Sequence, residues 1–367
     1  MNRGYVHGIA APPPAPTLLP PVSAIPMQRG FPTRALLCHW NVTTDSRLEI
    51  VVLGDSIASG QGATSNASSW VGRLRARLQQ QYGGNGGEGF IGPYDTRVTK
   101  TGWGLIPSLP PWNGCYSNND SSSNLMTYTF TGGQVIDRVD VFYADAGDTT
   151  NYDPNIEIRH NGGSYSSYTQ VRTGPAYTIR KVSHSLGSAV TDPVIDIHTP
   201  TNKRLLFVGM AVYNGTTGVV VHNVSRAGGG WVTQDANHVG LFTDNALSPH
   251  LAILALSTND YASNRATVVA AVDRTIAAFK ALTGKGTCDI LGLLGHGYTN
   301  QESGLQDVQN LVKTRFDIAG VPYASVRDSW LSNQQAVVDA RTSDGIHPSE
   351  KGHRDMAAAI YRTPTAA

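Results

Sequence analysis

The sequence predicts an α/β protein: a parallel sheet with helices on both faces, interrupted by an inserted all-β sandwich. Two observations predict it. Largely apolar runs at Leu48–Leu53, Leu251–Leu256, Asp289–Leu294 and Val321–Val326 alternate with stretches of helical period, as strands covered on both faces by crossover helices do. Between Met126 and Ala211 the helical period disappears. Short alternating runs separated by Gly, Asn, Asp and Pro clusters replace it, the pattern of a β-sandwich.

The elements follow in order. Residues 1–45 are rich in proline, with Pro12, Pro13, Pro14, Pro16, Pro20 and Pro21 breaking the apolar residues near Leu18. A signal peptide needs a continuous apolar region, so this segment reads as a polyproline-type arm or linker. Such an arm fits a module carried on something larger, extracellular or on a virion. Leu48–Leu53 is the first strand. Ser68 and Ser69 offer an N-cap to a helix with Trp70, Val71, Leu74 and Leu78 on one face, ending near Gly83. Gly83–Gly92 is a Gly-rich loop without the spacing of a phosphate-binding loop. The runs Met126–Phe130, Val135–Tyr143, Asn155–Arg159, Tyr177–Val182, Val194–His198 and Arg204–Ala211 are the short strands. Gly218–Asn223 resumes the α/β pattern. Arg265–Leu282 is an amphipathic helix with Val268, Val269, Val272, Ile276 and Phe279 inward, closed by Gly284. Leu305–Ile318 is another helix, and Ser349 can cap a last one, Glu350–Tyr361. The expected organisation is an arm over 1–45, a discontinuous α/β domain over 46–105 and 214–367, and an inserted all-β domain over 106–213.

Composition narrows the function. Hydrophobic residues make up 40% and charged residues 15% of the 367 residues, enough for a sizeable core. The net charge of +1 comes without a long basic run, which argues against nucleic acid as the main partner. No apolar stretch approaches the ~20 residues of a membrane span. Cys38, Cys115 and Cys288 are far apart and contain no Cys-x-x-Cys pair. Either one bridge, Cys38–Cys115, or three buried thiols fits.

The chemistry concentrates in a few residues. Gly54-Asp55-Ser56 ends the first apolar run, which puts a hydroxyl just past the carboxyl end of a buried strand. Asp344-Gly345-Ile346-His347-Pro348 near the C-terminus supplies a base for Ser56 and a carboxylate to orient that base. Alone, each has an ordinary turn or cap reading; together they point to nucleophilic catalysis. No Gly-x-Ser-x-Gly elbow and no His-Glu-x-x-His set is present, so neither an α/β-hydrolase nor a metallohydrolase is expected. No metal and no cofactor is called for.

Four blocks in order resemble the SGNH (GDSL-type) hydrolases: Gly54-Asp55-Ser56-Ile57, Asn223-Val224-Ser225-Arg226-Ala227-Gly228, Ser257-Thr258-Asn259-Asp260, and Asp344-Gly345-Ile346-His347-Pro348. Ile57 stands where the family usually has Leu, and Ser257 where it has Gly. The resemblance covers residues near 47–105 and 214–362. It implies a flavodoxin-like three-layer α/β/α core; the inserted β segment and the N-terminal arm lie outside the resemblance, and the segment is expected as a sandwich of jelly-roll type. It also implies Ser56 as nucleophile, His347 as base, Asp344 as its orienter, and Gly228, Asn259 and the Ser56 N–H as an oxyanion hole. His353, six residues after His347, is expected to point elsewhere, as a surface residue or a support behind the site.

In the inserted segment and just before it, Trp103, Trp112, Tyr116, Tyr128, Tyr143, Tyr152, Tyr165 and Tyr168 mix with Asn and Ser. Such faces suit sugar rings, although aromatics favour strands in any case. Some related esterases carry an inserted carbohydrate-binding-like sandwich, so the resemblance implies an acylated glycan or small ester as substrate. The expected function is a serine esterase removing O-acetyl or other short acyl groups from a polysaccharide or cell-wall glycan. Two alternatives stand beside it: a glycan-binding or phage-attachment module with a silent hydrolase core, and a lipase or thioesterase acting on longer chains.

Overall fold

The computed structural model describes residues 47–81, 84–93, 95–105, 116–118, 124–145, 155–170, 178–200, 203–243, 245–256, 258–285, 287–295, 302–326, 341–342 and 344–362. The Pro-rich arm, Cys38, Trp112, Cys115, Tyr152 and Ser257 lie outside them. The chain opens with β1 (Leu48–Gly54) and α1 (Trp70–Gln81). A β-rich stretch follows: β2 (Gly89–Ile91), β3 (Val98–Thr101), β4 (Trp103–Leu105), β5 (Tyr116–Asn118), β6 (Leu125–Thr129), β7 (Val135–Asp145), β8 (Asn155–His160), β9 (Ser166–Thr169), β10 (Thr178–Thr191), β11 (Val194–His198) and β12 (Phe207–Tyr213). Strands and helices then alternate: β13 (Val219–Asn223), α2 (Trp231–His238), β14 (Leu251–Ala255), α3 (Arg265–Lys280), β15 (Asp289–Leu294), α4 (Glu302–Ala319), β16 (Tyr323–Ser325) and α5 (Glu350–Arg362).

One parallel sheet has the order β13-β1-β14-β15-β16. From β1 the chain goes first to β13 on one side, and later crosses to β14 on the other. The winding therefore reverses at β1, and the crevice outside the carboxyl ends there is where open α/β sheets bind ligands. Side chains of β1 alternate between two cores. Ile50 and Val52 pack with Trp70, Leu74, Leu78, Met356 and Ile360 of α1 and α5. Val51 and Leu53 face the opposite core, with Val272, Phe279, Val308 and Phe316 of α3 and α4. This is the expected three-layer arrangement.

The β-rich stretch forms two sheets, β10-β7-β12-β5-β4 with β2 added to β12, and β3-β6-β11-β8-β9. Met126, Tyr128, Ile156, Ile195, Phe207 and Met210 fill the space between them. It is not an appendage. Phe142, Ile179, Val208 and Tyr213 belong to the same buried cluster as Val51, Leu53 and Val220, so the outer face of one sandwich sheet packs directly against the parallel sheet.

Several elements differ from expectation. The stretch 83–105, assigned to the hydrolase part, already contributes β2, β3 and β4 to the sandwich sheets. These strands are three or four residues long and carry too little alternation to be visible beside so many glycines. The helix Trp231–His238 was also not expected. It buries Trp231 and Gln234, one turn apart, and three preceding glycines hide its start. Longer elements match closely, because burial enforces their period: α3 buries Val268, Val272, Ile276 and Phe279 and is capped by Asn264 Oδ1, while α4 buries Leu305, Val308, Val312 and Phe316. Among the described residues, Cys288 is a free, buried thiol. No helix among them is long and apolar enough to cross a membrane.

Candidate active site

Three strand ends at the winding reversal carry the predicted residues. Ser56 follows β1, Gly228 follows β13, and Asn259 follows β14. Asp344 and His347 lie on the turn that precedes α5.

The turn after β1 is built by Asp55. Its Oδ1 accepts the Ile57 N–H at 2.9 Å, and Gln61 N and Ser59 Oγ both donate to the Ser56 carbonyl, at 3.0 and 2.8 Å. Asp55 also hydrogen-bonds Thr258, which ties the turn to the Asn259 loop. Burial pushes the Asp55 carboxyl up to about 6, against the pull of these donors.

Ser56 is nearly buried, at 5% exposure. His347 Nε2 lies 3.2 Å from its Oγ. On the other side of the ring, Nδ1 lies 2.7 Å from Asp344 Oδ2. A carboxylate only accepts, so Nδ1 carries the proton and Nε2 presents a lone pair to the Ser56 hydroxyl. Asp344 is itself held by two backbone donors: Oδ1 accepts from Ile346 N at 2.9 Å and His347 N at 2.7 Å. Partial burial raises the Asp344 carboxyl, but the hydrogen bonds from the His347 ring and the two backbone amides outweigh it and hold the pKa at about 2. The carboxylate is therefore ionised at neutral pH.

The three glycines at 228–230 are there for different reasons. A Cβ on Gly229 would fall 2.0 Å from Gln234 Nε2, and one on Gly230 2.5 Å from Asp260 Oδ2. Those two are required by packing. Gly228 has φ +72°, and a Cβ there would meet nothing within 4 Å, so it is required by backbone conformation and borders open space. The Asn259 Nδ2 donates to the Gly229 carbonyl at 2.8 Å, which fixes the amide and leaves its second N–H for another acceptor.

Residues that sequence reasoning passed over hold this arrangement together. Asp260 accepts the Trp231 and Val232 N–H groups, capping the start of α2; burial raises its carboxyl. Gln234 on that helix donates to the Gly54 carbonyl, and Arg226 N donates to the same carbonyl at 3.0 Å. Asn223 Nδ2 donates to Ala58 O at 2.8 Å. The second and third blocks are thus tied to the strand end that bears Ser56. The adjacency of Asp260 to Asn259 in the third block was the one signal available. Of the two places expected for His353, surface or support, the structure shows the second: it is 0% exposed and bonds the Gln61 carbonyl on the loop after Ser56. Among the described residues, no group of His, Cys, Asp or Glu side chains is arranged to hold a metal ion.

Beside the Ser56 turn runs a cleft of about 720 Å³. Ser59, Gln61, Asn66, Asn223 and Arg226 line it on the α/β side, and Asp95 and Arg97 on the side leading into the sandwich. Arg97 is clamped by Glu88 and Asp95, at 2.6 and 2.7 Å.

Residues 178–354 match the model of the GDSL-like Lipase/Acylhydrolase family. The match includes Gly228, Asn259, Asp344 and His347 and stops short of Ser56, which only the fold brings beside His347. Over its length the chain superposes on the solved structure of a peptidoglycan O-acetylesterase with a TM-score of 0.67, at 18% identity, covering 89% of this chain and 93% of that one. The fold is therefore that of the SGNH hydrolases with an additional β-rich unit. Partial likenesses are an acetyl xylan esterase (TM-score 0.33, 12% identity, 40% of this chain and 81% of that one) and a family 35 carbohydrate-binding module from Clostridium thermocellum (TM-score 0.26, 14% identity, 34% and 98%). No curated protein matches in sequence.

Proposed function

We propose that this chain, whose residues 178–354 match the GDSL-like lipase/acylhydrolase model, is a serine esterase removing O-acetyl or other short acyl groups from a polysaccharide. The observation that carries the reading is the line Asp344–His347–Ser56, with gaps of 2.7 and 3.2 Å, at the winding reversal of the sheet. In this reading Ser56 Oγ attacks the ester carbonyl carbon while His347 Nε2 takes its proton. The oxyanion is held by the N–H groups of Ser56 and Gly228 and the spare Asn259 N–H. The tetrahedral intermediate collapses, the sugar oxygen leaves with the proton from His347, and the acyl group stays on Ser56. Water, deprotonated by His347, then releases acetate and restores the hydroxyl.

Two further observations support a glycan. The cleft of about 720 Å³ borders the Ser56 turn through Ser59 and Gln61, while Ser56, His347, Gly228 and Asn259 do not line it; its size, within the ~300–1,000 Å³ of small-molecule sites, gives room for sugar units beside the reacting ester. Its amide, hydroxyl and guanidinium groups suit sugar hydroxyls. The fold is shared with an esterase of peptidoglycan. The reading divides the chain into a hydrolase unit and an inserted β-rich unit that starts at β2 and ends with β12, and gives the second unit the task of holding the polymer.

The test is hydrolysis of 4-nitrophenyl acetate by wild type and Ser56→Ala, followed by acetate release from a panel of O-acetylated glycans. Turnover lost with Ser56 and acetate released from a glycan support the reading. Equal rates in the two proteins would sink it, and activity that rises with acyl length would redirect it to a lipase or thioesterase.

A further inference from the structure

Two segments must meet for Ser56 to face His347, and they are distant in sequence. The loop that leaves Ser56 runs to α1, and the turn bearing His347 runs into α5. Their backbones touch: a Cβ on Gly62 would fall 2.1 Å from the Pro348 carbonyl oxygen. Two side chains of α5 reach across this seam. Glu350 accepts from Thr64 N, Thr64 Oγ1 and Ser68 Oγ at 2.6–2.8 Å and pairs with Arg73 at 2.7 Å, but these groups are at the surface, where water competes. His353 is different. It is 0% exposed, as is Trp70.

Both ring nitrogens of His353 bond backbone groups of the Ser56-bearing segment. Nδ1 lies 3.2 Å from Trp70 N, and Nε2 lies 2.9 Å from Gln61 O. The Trp70 amide can only donate, and it is one of the first N–H groups of α1, which have no partner within the helix. The Gln61 carbonyl can only accept. Together they require an unprotonated Nδ1 and a protonated Nε2, the tautomer opposite to that of His347. Burial also lowers the affinity of the ring for a second proton, against the Gln61 carbonyl and the Glu350 charge that favour it, while Arg73 and His347 add to the lowering.

We infer that His353 is a positioning residue: a neutral buried imidazole that clamps the loop after Ser56 to the helix after His347 and thereby sets the Ser56–His347 gap. It takes no part in the chemistry, and the inference rests on the esterase reading only for its kinetic consequence.

The experiment compares His353→Leu, His353→Asn and His353→Gln in the full chain. Leu keeps the bulk and loses both bonds. Asn places an acceptor where Nδ1 stands and loses the link to Gln61, whereas Gln places a donor where Nε2 stands and keeps it. A misplacement of about 1 Å costs about 100-fold, so kcat for 4-nitrophenyl acetate should fall about 10–100-fold in the Leu and Asn variants with KM changed less than about threefold. The Gln variant should recover most of the loss. Amide hydrogen exchange over residues 57–64 gives a readout independent of turnover: faster in Leu and Asn, near wild type in Gln. Equal exchange and equal kcat in Asn and Gln would overturn the inference, as would wild-type exchange in Leu. If wild type hydrolyses no ester, the esterase reading fails while the exchange pattern still decides the clamp.

Discussion

The Asp344→Asn substitution tests the tautomer argument most sharply. In the wild type, Asp344 Oδ1 accepts two backbone N–H groups, from Ile346 and His347, and Oδ2 faces His347 Nδ1 at 2.7 Å. An asparagine at 344 has one acceptor and one donor end. The two backbone donors select the amide oxygen for the Oδ1 position, so the amide N–H₂ must face Nδ1. That nitrogen then accepts, its proton moves to Nε2, and the ring presents a donor to Ser56 where a base is needed. The same inversion in a Ser-His-Asp triad costs about 10⁴-fold in kcat, which is about 5.5 kcal/mol of transition-state stabilisation. Asp344→Ala leaves Nδ1 free to meet water in either tautomer, because Asp344 is half exposed. The Ala variant should therefore be the more active of the two. The assay is kcat on a short nitrophenyl ester, with thermal melting to show that both variants fold. Asn within about tenfold of wild type, or Ala less active than Asn, would refute the geometry as the basis of catalysis.

Other outcomes follow from the same contacts. Asn259→Ala should lower kcat about 10²–10³-fold, the cost of one oxyanion donor; an unchanged kcat would remove Asn259 from that role. Gly230→Ala must displace Asp260 from the start of α2 and should appear chiefly as a lower melting temperature. Gly228→Ala, with open space around it but φ +72°, should lose activity at a stability cost of only about 1–2 kcal/mol. Phe142→Ala should destabilise by about 3–5 kcal/mol. Because Phe142 shares a core with Val51 and Leu53, calorimetry should show one transition shifting as a whole; two transitions would contradict the shared core. Burial raises the carboxyls of Glu88 and Asp95, but Arg75 and Arg97 beside Glu88, and Arg97 with Asn66 beside Asp95, more than reverse this and leave both below their usual values. Their stabilisation is present above about pH 4.5 and is lost as pH falls through the lowered values. Arg97→Met should therefore cost about 3 kcal/mol at neutral pH, and the difference from wild type should shrink in acid.

Much of this site could be read from residue order. Gly54-Asp55-Ser56 after an apolar run, and Asp344 with His347 before a helix capped by Ser349, are local patterns: strand burial, turn chemistry and capping act over a few residues. Asp55, Gln234 and Asp260 were not legible as supports, and for His353 a supporting place could not be told from a surface one. Each acts on a partner far away in sequence, and nothing in the local pattern distinguishes a buried imidazole that bonds Gln61 and Trp70 from one in solvent. The short strands β2, β3 and β4 were missed for a related reason, since their pairing with β12, β6 and β5 is what makes them strands.

The sequence alone determined the class of the protein, the alternation of strands and helices, the β-rich interruption and the identity of the candidate nucleophile, base and orienter. These follow from periodicity and from the chemistry that residue types can perform. The tertiary structure decided what depends on distance. It placed Ser56 3.2 Å from His347 and joined the sandwich to the parallel sheet through one buried core. It assigned separate tasks to Gly228, Gly229 and Gly230, and between the surface and a supporting place it put His353 in the second, at the seam between the segments that bear Ser56 and His347. The physical reason is that a side chain's exposure and hydrogen-bond partners are set by the elements packed around it, and those elements are chosen by the burial of the whole sheet rather than by its neighbours in the chain.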